Sequence, residues 1–418
     1  MPPMRFCFPT TFYPPFSFGG DAVGVQRLAR ALVKRGHHVT VVHDVDAYNA
    51  LHDGPPPAIP VRDDGVEVIG IETGASTLSL LLTQQTGRPT LNARRLREIM
   101  SDGRFDVINF HNLSLVGGPG LLSYGGDATR IYMAHEHWLV CPTHVLWRHN
   151  REICDRRECF RCQLHYRRPP QIWRATGYLN HQLEHVHAFI AMSEFSRDKH
   201  YEFGFPRTME VMPYFLPDPD PDPEPSPGGV AVATPAPAAK PSSPHDRPYF
   251  LFVGRLEKIK GLEQVIPLFR DYPDADLLIA GDGNFSDELR ALAVGNERVT
   301  FLGRIPLDEL KRYYRHAIST IVPSVCFETF GIIIIESFKE RTPVIARRLG
   351  PFPEIMKQSG GGELFDTDAE LIDAMRRLQG DAGYRESRAC NAYSAYVDRW
   401  SESAVMPQYL DIVSRARG

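Results

Sequence analysis

Two glutamates, Glu328 and Glu336, stand with seven residues between them. An apolar run, Thr320-Ile321-Val322-Pro323-Ser324, precedes the pair, and a helical pattern from Ile332 to Lys339 carries the second carboxylate. The arrangement predicts a strand, a tight loop over Glu328 to Gly331, and a helix whose first turn presents free N–H groups. Such an N-terminus, opened by a glycine, lets an anion approach the backbone closely. From Gly331 to Glu336 the helix rises roughly 7–8 Å at about 1.5 Å per residue, so the two carboxylates flank an anion held between them. That suits a ligand with a hydroxyl-rich group at each end and phosphate in the middle, such as a sugar nucleotide. An amphipathic helix with two solvated glutamates is the plain alternative.

A second chemical group is Cys141, Cys154, Cys159 and Cys162, four of the seven cysteines, with twelve, four and two residues between successive members. The last pair is a Cys-x-x-Cys knuckle of the kind zinc sites use. The surrounding segment from Trp147 to Arg174 holds eight arginines against Glu152, Asp155 and Glu158, with Trp147, Phe160, Tyr166 and Trp173 interleaved. It is poor in aliphatics, so bound metal would supply order as local folding energy. A structural zinc ion is expected; disulfides, an iron–sulfur cluster and four unliganded thiols are the alternatives. The basic aromatic surface suits an anionic lipid interface or a phosphorylated acceptor, a solvated loop being the alternative.

The elements that must position these groups alternate strand and helix. Arg5 to Phe8 reads as a strand, Pro14 to Gly20 as a loop, and Val25, Leu28, Ala29, Leu32 and Val33 as one face of a helix that Gly36 ends. Val39 to Val42 follows as a strand, completing a βαβ unit and implying a parallel sheet. Val66–Ile69, Asp106–Phe110, Arg130–Ala134 and Ala188–Met192 are further strands, the middle two ending at His111 and at His135-Glu136-His137. Open α/β sheets put ligands beyond such strand ends, although a lone histidine is equally a satisfied structural residue. Residues 217–245, opening on Pro217-Asp218-Pro219-Asp220, cannot pack a core and read as extended and mobile. A second α/β series follows: Tyr249–Val253 into Gly254-Arg255-Leu256 and Lys260-Gly261, Leu277–Ala280 into Gly281-Asp282-Gly283, and Val299–Leu302 into Gly303-Arg304. Thr342–Ala346 then leads into Gly350-Pro351, and Ala404–Ala416 has helical apolar spacing suited to crossing back to the first domain.

Length bounds the chain at two or three domains: it has 418 residues, with the 43% hydrophobic and 23% charged content of a soluble globular protein. A formal net charge of −4 argues against a nucleic-acid binder. No run of about 20 apolar residues suggests a spanning helix. The start, Met1 to Phe6, does not read as a signal peptide, which places the protein in the cytoplasm, with the basic segment as a peripheral contact for the inner face of the membrane.

Taken together in order and spacing, these motifs resemble those of the family 4 retaining glycosyltransferases of the GT-B fold: Gly19-Gly20, His135, Gly254-Arg255-Leu256 with Lys260-Gly261, Gly281-Asp282-Gly283, and Glu328/Glu336 with Phe330-Gly331 between. The resemblance implies two Rossmann-like, doubly wound domains facing across a cleft. An acceptor-side domain would span residues 1–215 with the insertion 141–175; a linker or surface excursion, 216–246; a nucleotide-sugar domain, 247–395; and a helix packing back on the first domain, 396–418. It implies that Arg255 and Lys260 bind the donor diphosphate, that backbone N–H groups of Phe330, Gly331 and Ile332 hold sugar and phosphate, and that Glu336 binds the ribose. Glu328 would contact the donor sugar at the reacting centre with His135 across the cleft, Gly20 (beside Gly19) would approach the phosphate, and backbone near Arg304 would read the base. Gly350-Pro351 departs from a pattern that often has two glycines there.

The activity implied is transfer of a sugar from a nucleotide-sugar donor to the hydroxyl of a glycan, glycolipid or natural-product acceptor, without a catalytic metal. Arg255 and Lys260 would equally serve a sugar-nucleotide epimerase or a phosphorylase on the same fold. A non-catalytic sugar-nucleotide sensor is the third reading.

Overall fold

The computed structural model describes residues 2–52, 57–58, 62–101, 103–219 and 242–418. Strands β1 (Arg5–Thr10), β2 (His38–Asp44), β3 (Arg62–Asp63), β4 (Val66–Ile71), β5 (Val107–Phe110) and β6 (Thr129–Ala134) fill the first part of the chain. A short hairpin, β7 (Trp147–Arg148) and β8 (Glu152–Ile153), stands apart before β9 (Ala188–Ala191) and β10 (Glu210–Val211). The first sheet runs β10-β9-β6-β5-β1-β2-β4-β3 and is parallel except for the edge pair β3–β4. The second part supplies β11 (Tyr249–Val253), β12 (Asp276–Ala280), β13 (Val299–Gly303), β14 (Thr320–Val322), β15 (Val344–Arg347) and β16 (Gly362–Phe365). They form a parallel sheet in the order β13-β12-β11-β14-β15-β16.

Burial on both faces explains the strand sequences. All of Phe6–Thr10 and all of β5 are buried, as helix-covered parallel strands require. Both sheets start in the middle and wind outward. The strand order therefore reverses between β1 and β5 in one sheet and between β11 and β14 in the other, and such switch points open a crevice at the carboxyl ends of the strands. The loops leaving β1, β11 and β14 carry Gly19-Gly20, Arg255 to Lys260, and Glu328 to Gly331.

Seven helices matter for the site: α1 (Gly20–Lys34), α2 (Ser76–Thr86), α3 (Cys159–His165), α4 (Glu194–Glu202), α5 (Ile332–Lys339), α6 (Phe352–Ser359) and α7 (Glu402–Arg417). Ala22, Val25, Leu28, Ala29 and Leu32 form the buried stripe of α1. Ile334, Ile335 and Phe338 of α5 join Tyr214, Leu216 and Trp400 in one apolar cluster that reaches into both halves. Helix α7 buries Val405, Tyr409, Ile412 and Val413 against the first sheet. There Asn109 Nδ2 donates to the Tyr409 hydroxyl at 2.9 Å, and Arg35 pairs with Glu402 at 2.6 Å.

The proline-rich segment is tied down where it begins. Leu216 bridges Ser401, the Pro217 carbonyl accepts from Lys339 Nζ at 2.8 Å, and the Asp218 carboxylate caps Ser403 N–H at 2.8 Å. Those contacts hold Leu216, Pro217 and Asp218; most of the segment read as a linker or surface excursion, 220–241, lies outside the described residues. Among the described residues, no helix is long and apolar enough to cross a membrane.

Candidate active site

The site grows from two loops of the second sheet. After β11 the chain makes a turn ending at Lys260, and after β14 it carries Glu328 toward α5. Lys260 Nζ donates to Glu328 Oε1 at 2.6 Å, and Ser324 Oγ donates to the same oxygen at 2.9 Å. Burial alone would raise the Glu328 pKa; the Lys260 ammonium overrides it and holds the carboxyl below its ordinary value. Burial likewise works against the Lys260 charge, and Glu328 more than offsets it, so the ammonium titrates above its ordinary range. The pair is therefore ionised at neutral pH, and 20% and 23% of the two side chains stay open to solvent. Arg255, in the same turn, is half exposed and held by Glu257 at 2.7 Å.

Glycine is enforced where these loops stack. A Cβ on Gly281 would lie 1.9 Å from the Gly254 carbonyl oxygen, so the β12 loop can lie on the β11 loop only without a side chain. Gly331 sits at φ 131° immediately before α5, a conformation open to glycine. Ile334 N–H donates to the Gly331 carbonyl at 2.9 Å, which leaves the N–H groups of Ile332 and Ile333 without an intrahelical acceptor. Across the cleft, a Cβ on Gly20 would meet Ile332 Cδ1 at 3.3 Å, so the first loop of the N-terminal half abuts the start of α5. Gly350, at φ 64°, backs onto the Glu328 amide, and Pro351 caps α6.

The two halves are clasped beside Glu328. Thr329 Oγ1 donates to the His135 carbonyl at 2.8 Å, and Ser193 Oγ donates to the Thr329 carbonyl at 2.7 Å. The Glu354 carboxylate of α6 accepts the first N–H groups of α4, from Glu194 at 3.2 Å and Phe195 at 3.1 Å. The Phe330 ring is buried between Tyr214 and Trp400.

Both ring nitrogens of His135 are engaged, Nε2 with His111 Nδ1 at 2.8 Å and Nδ1 with the Tyr214 hydroxyl. Burial lowers the pKa of His135 and of His111, so both rings are neutral at pH 7. Glu336 lies a turn into α5 and accepts from Arg27 Nη2 of α1 at 3.1 Å and from the Tyr314 hydroxyl at 3.4 Å. Arg304 is exposed at the rim, 3.9 Å from Asp282.

The structure thus gathers Gly20, Lys260, Glu328, Phe330, Gly331, Ile332 and the His135 backbone, with Gly19 and Arg255 in the adjoining turns. Glu336 stands deeper along the same helix, Arg304 stands at the rim beside Gly303, whose carbonyl accepts from the Gly281 N–H at 2.7 Å, and the four cysteines form a separate group. Sequence reasoning missed Arg27, Tyr214 and Ser324. Arg27 falls on what reads as the solvated face of α1, and Tyr214 follows a strand too short to show a pattern.

Two parallel-sheet α/β domains, joined beside a cation–carboxylate pair, define the class of architecture. The family model described as Glycosyltransferase Family 4 matches residues 18–217, and that described as Glycosyl transferases group 1 matches residues 236–395. The chain belongs to the family 4 glycosyltransferases of the GT-B fold. It is similar to the uncharacterized glycosyltransferase MJ1607 of Methanocaldococcus jannaschii, 31% identical over 40% of this chain and 45% of that protein. The match thus spans less than half the length of that relative. Sucrose-phosphate synthase from Thermosynechococcus elongatus shares the fold at a TM-score of 0.73 and 17% identity, over 99% of this chain and 98% of that one. Anabaena HepE in complex with UDP-glucose shares it at 0.67 and 16% identity, over 99% of this chain and all (100%) of that one.

Proposed function

We propose that this protein transfers a sugar from a nucleotide-sugar donor to an acceptor hydroxyl with retention of anomeric configuration and without a catalytic metal ion. The observation that carries the reading is the Lys260–Glu328 pair, 2.6 Å apart at the head of α5 and at the sheet's switch point. A diphosphate lying there meets Lys260, Arg255 and the α5 N–H groups together, and these neutralise charge as it develops on the leaving group. Glu336 accepts from ribose hydroxyls in exchange for Arg27, and Glu328 orients the transferred sugar. His135 contributes through its backbone clasp to Thr329, since its ring nitrogens are already taken. Same-face attack then breaks the bond from the anomeric carbon to phosphate and forms the bond to the acceptor oxygen. The acceptor proton passes to a phosphate oxygen, so the chain itself chiefly positions the substrates. The fold shared with HepE, whose structure holds UDP-glucose, supports the donor class.

A thermal-shift panel of UDP-, GDP-, ADP- and dTDP-sugars identifies the donor, because a ligand that binds only the folded state raises Tm. NMR of the product made from that donor then gives the anomeric configuration. An inverted product overturns retention, and an epimerised sugar formed without acceptor favours the epimerase reading. Activity should persist in EDTA; loss restored by magnesium or manganese would exclude the metal-independent route.

The acceptor is anionic or membrane-borne in this reading, with the protein held peripherally at the inner face of the membrane. Phe160, Leu164 and Ile172 are exposed at 64%, 53% and 72%, among the exposed Arg157, Arg161, Arg167 and Arg168. Apolar side chains framed by cations suit an anionic lipid surface.

A further inference from the structure

The transfer site makes no use of the four clustered cysteines. The fold brings them to one place from three elements: Cys141 follows the turn after His135, Cys154 directly follows β8, and Cys159 and Cys162 share the first turn of α3. Three-residue spacing on a helix puts the last two on one face. All four line a single cavity of about 20 Å³, together with Thr143, Trp147 and Arg148. That volume accommodates roughly one water-sized occupant.

Three further observations bear on what fills it. The His149 amide donates to Cys162 Sγ at 3.3 Å, the kind of outer contact that orients a metal ligand. His144, Leu146, His149 and Asn150 all take positive φ between Cys141 and Cys154, a course that persists only where its surroundings over-determine it. The hairpin and α3 offer few aliphatic side chains to do so. The Arg174 guanidinium lies against Trp138 and Trp173, 5.3 Å and 4.6 Å from the ring centres, and Arg148 lines the cavity itself. A divalent ion with four thiolates carries two net negative charges; Arg174 offsets part of them, while Arg148 is already paired with Glu152 and Asp155.

We propose that Cys141, Cys154, Cys159 and Cys162 bind one structural Zn²⁺ ion. As the side chains stand, no three His, Cys, Asp or Glu groups among the described residues are drawn into a ligand set, so binding requires the sulfurs to turn toward the cavity. The ion enters as four thiols release four protons to solvent, leaving a tetrathiolate complex. Its effect reaches the cleft through the backbone: His137 N–H donates to the His144 carbonyl at 2.9 Å, and His144 Nδ1 lies 2.7 Å from the Glu136 carboxylate. Zinc therefore fixes the stretch that leaves His135 and carries the exposed Phe160 and Leu164.

The test is elemental analysis of the full chain, purified without chelator or polyhistidine tag, together with thiol titration, intact mass and hydrogen exchange. About one zinc per chain is expected. It should be lost in Cys159→Ser/Cys162→Ser with faster exchange over 141–175, and kept in Cys390→Ser, whose thiol is elsewhere and exposed. If the double variant does not fold, Cys141→His should retain the metal, since imidazole is also a zinc ligand. Cobalt substitution should give sulfur-to-metal charge-transfer bands in the wild type and in Cys390→Ser, and not in the double variant. Iron with acid-labile sulfide, a mass four hydrogen atoms low from two disulfides, or a metal-free chain with unchanged exchange would each overturn the proposal. None of these readouts depends on sugar transfer, so either reading can fail alone.

Discussion

Lys260 and Glu328 neutralise one another before any donor arrives, so removing one leaves the other without its counter-charge. Lys260→Ala should lower kcat/KM by about 10²-fold or more, the scale of a lost transition-state contact. It should also lower Tm, because breaking one side of an enclosed pair is destabilising. Adding Glu328→Gln should restore much of the Tm and none of the turnover; recovery of neither would show that the pair does not act as a unit. Arg255→Ala, with its half-exposed side chain, should lose activity on the same scale with little change in Tm. The two glutamates should separate kinetically. Glu336→Ala should raise donor KM, since ribose contacts are made in ground and transition states alike, whereas Glu328→Ala should lower kcat. Identical profiles for the two would remove the division of roles. Each glutamate's loop or helix was legible because a strand, a glycine and an apolar helix bracket them within twenty residues. Their partners were not. Arg27 is 309 positions from Glu336, and no local period marks a contact made across two domains.

At the level of elements, the alternation of apolar runs with glycine loops announces the parallel sheets, since strands buried on both faces cannot hide their composition. Short edge strands escape that logic. β7, β8 and β10 have two residues each, too few for any period. The hairpin they partly form nevertheless lends its lobe a shape, and α3 displays Phe160 and Leu164 on the outside of it. Arg148 is committed to Glu152 and Asp155, and Arg156 to Glu158, which leaves Arg151, Arg157, Arg161, Arg167 and Arg168 at the surface. The protein should sediment with anionic liposomes at low salt and remain in the supernatant with neutral ones, as screening and charge density dictate. Phe160→Ser/Ile172→Ser should weaken that recovery several-fold. Equal recovery from both lipid types would show that the lobe faces something other than a bilayer. Composition flagged this segment correctly as basic and aromatic, but not that Trp147, Trp173 and Arg174 turn inward while Phe160 turns out.

Taken whole, the molecule should lose stability in mild acid. Burial lowers the pKa of His43 and His200 to about 4, and His111, His135 and His137 are lowered too. The unfolded chain takes up protons at these residues near pH 6.5 while the folded chain does not, so stability falls as pH drops from about 6.5 toward 4. Asp44 works the other way: burial raises it to about 7, and the folded state keeps its proton where the unfolded state ionises. Five imidazoles outweigh one carboxyl, and Glu328, held low, adds its own loss only further down. Urea midpoints measured between pH 7 and 4.5 should decline steadily; a flat or rising series would show that the imidazoles are solvated. The return of α7 to the first sheet has a consequence for how the protein is made. Val405, Tyr409 and Val413 cover apolar surface on an N-terminal half that leaves the ribosome some two hundred residues earlier. Until α7 emerges, that half must wait with its flank bare and the Asn109 amide without its tyrosine partner. Folding in order of synthesis, the ordinary route for a domain, is thereby closed to it. Stalled nascent chains ending before Ser401 should recruit chaperones and yield to protease, and chains extended past Arg417 should not.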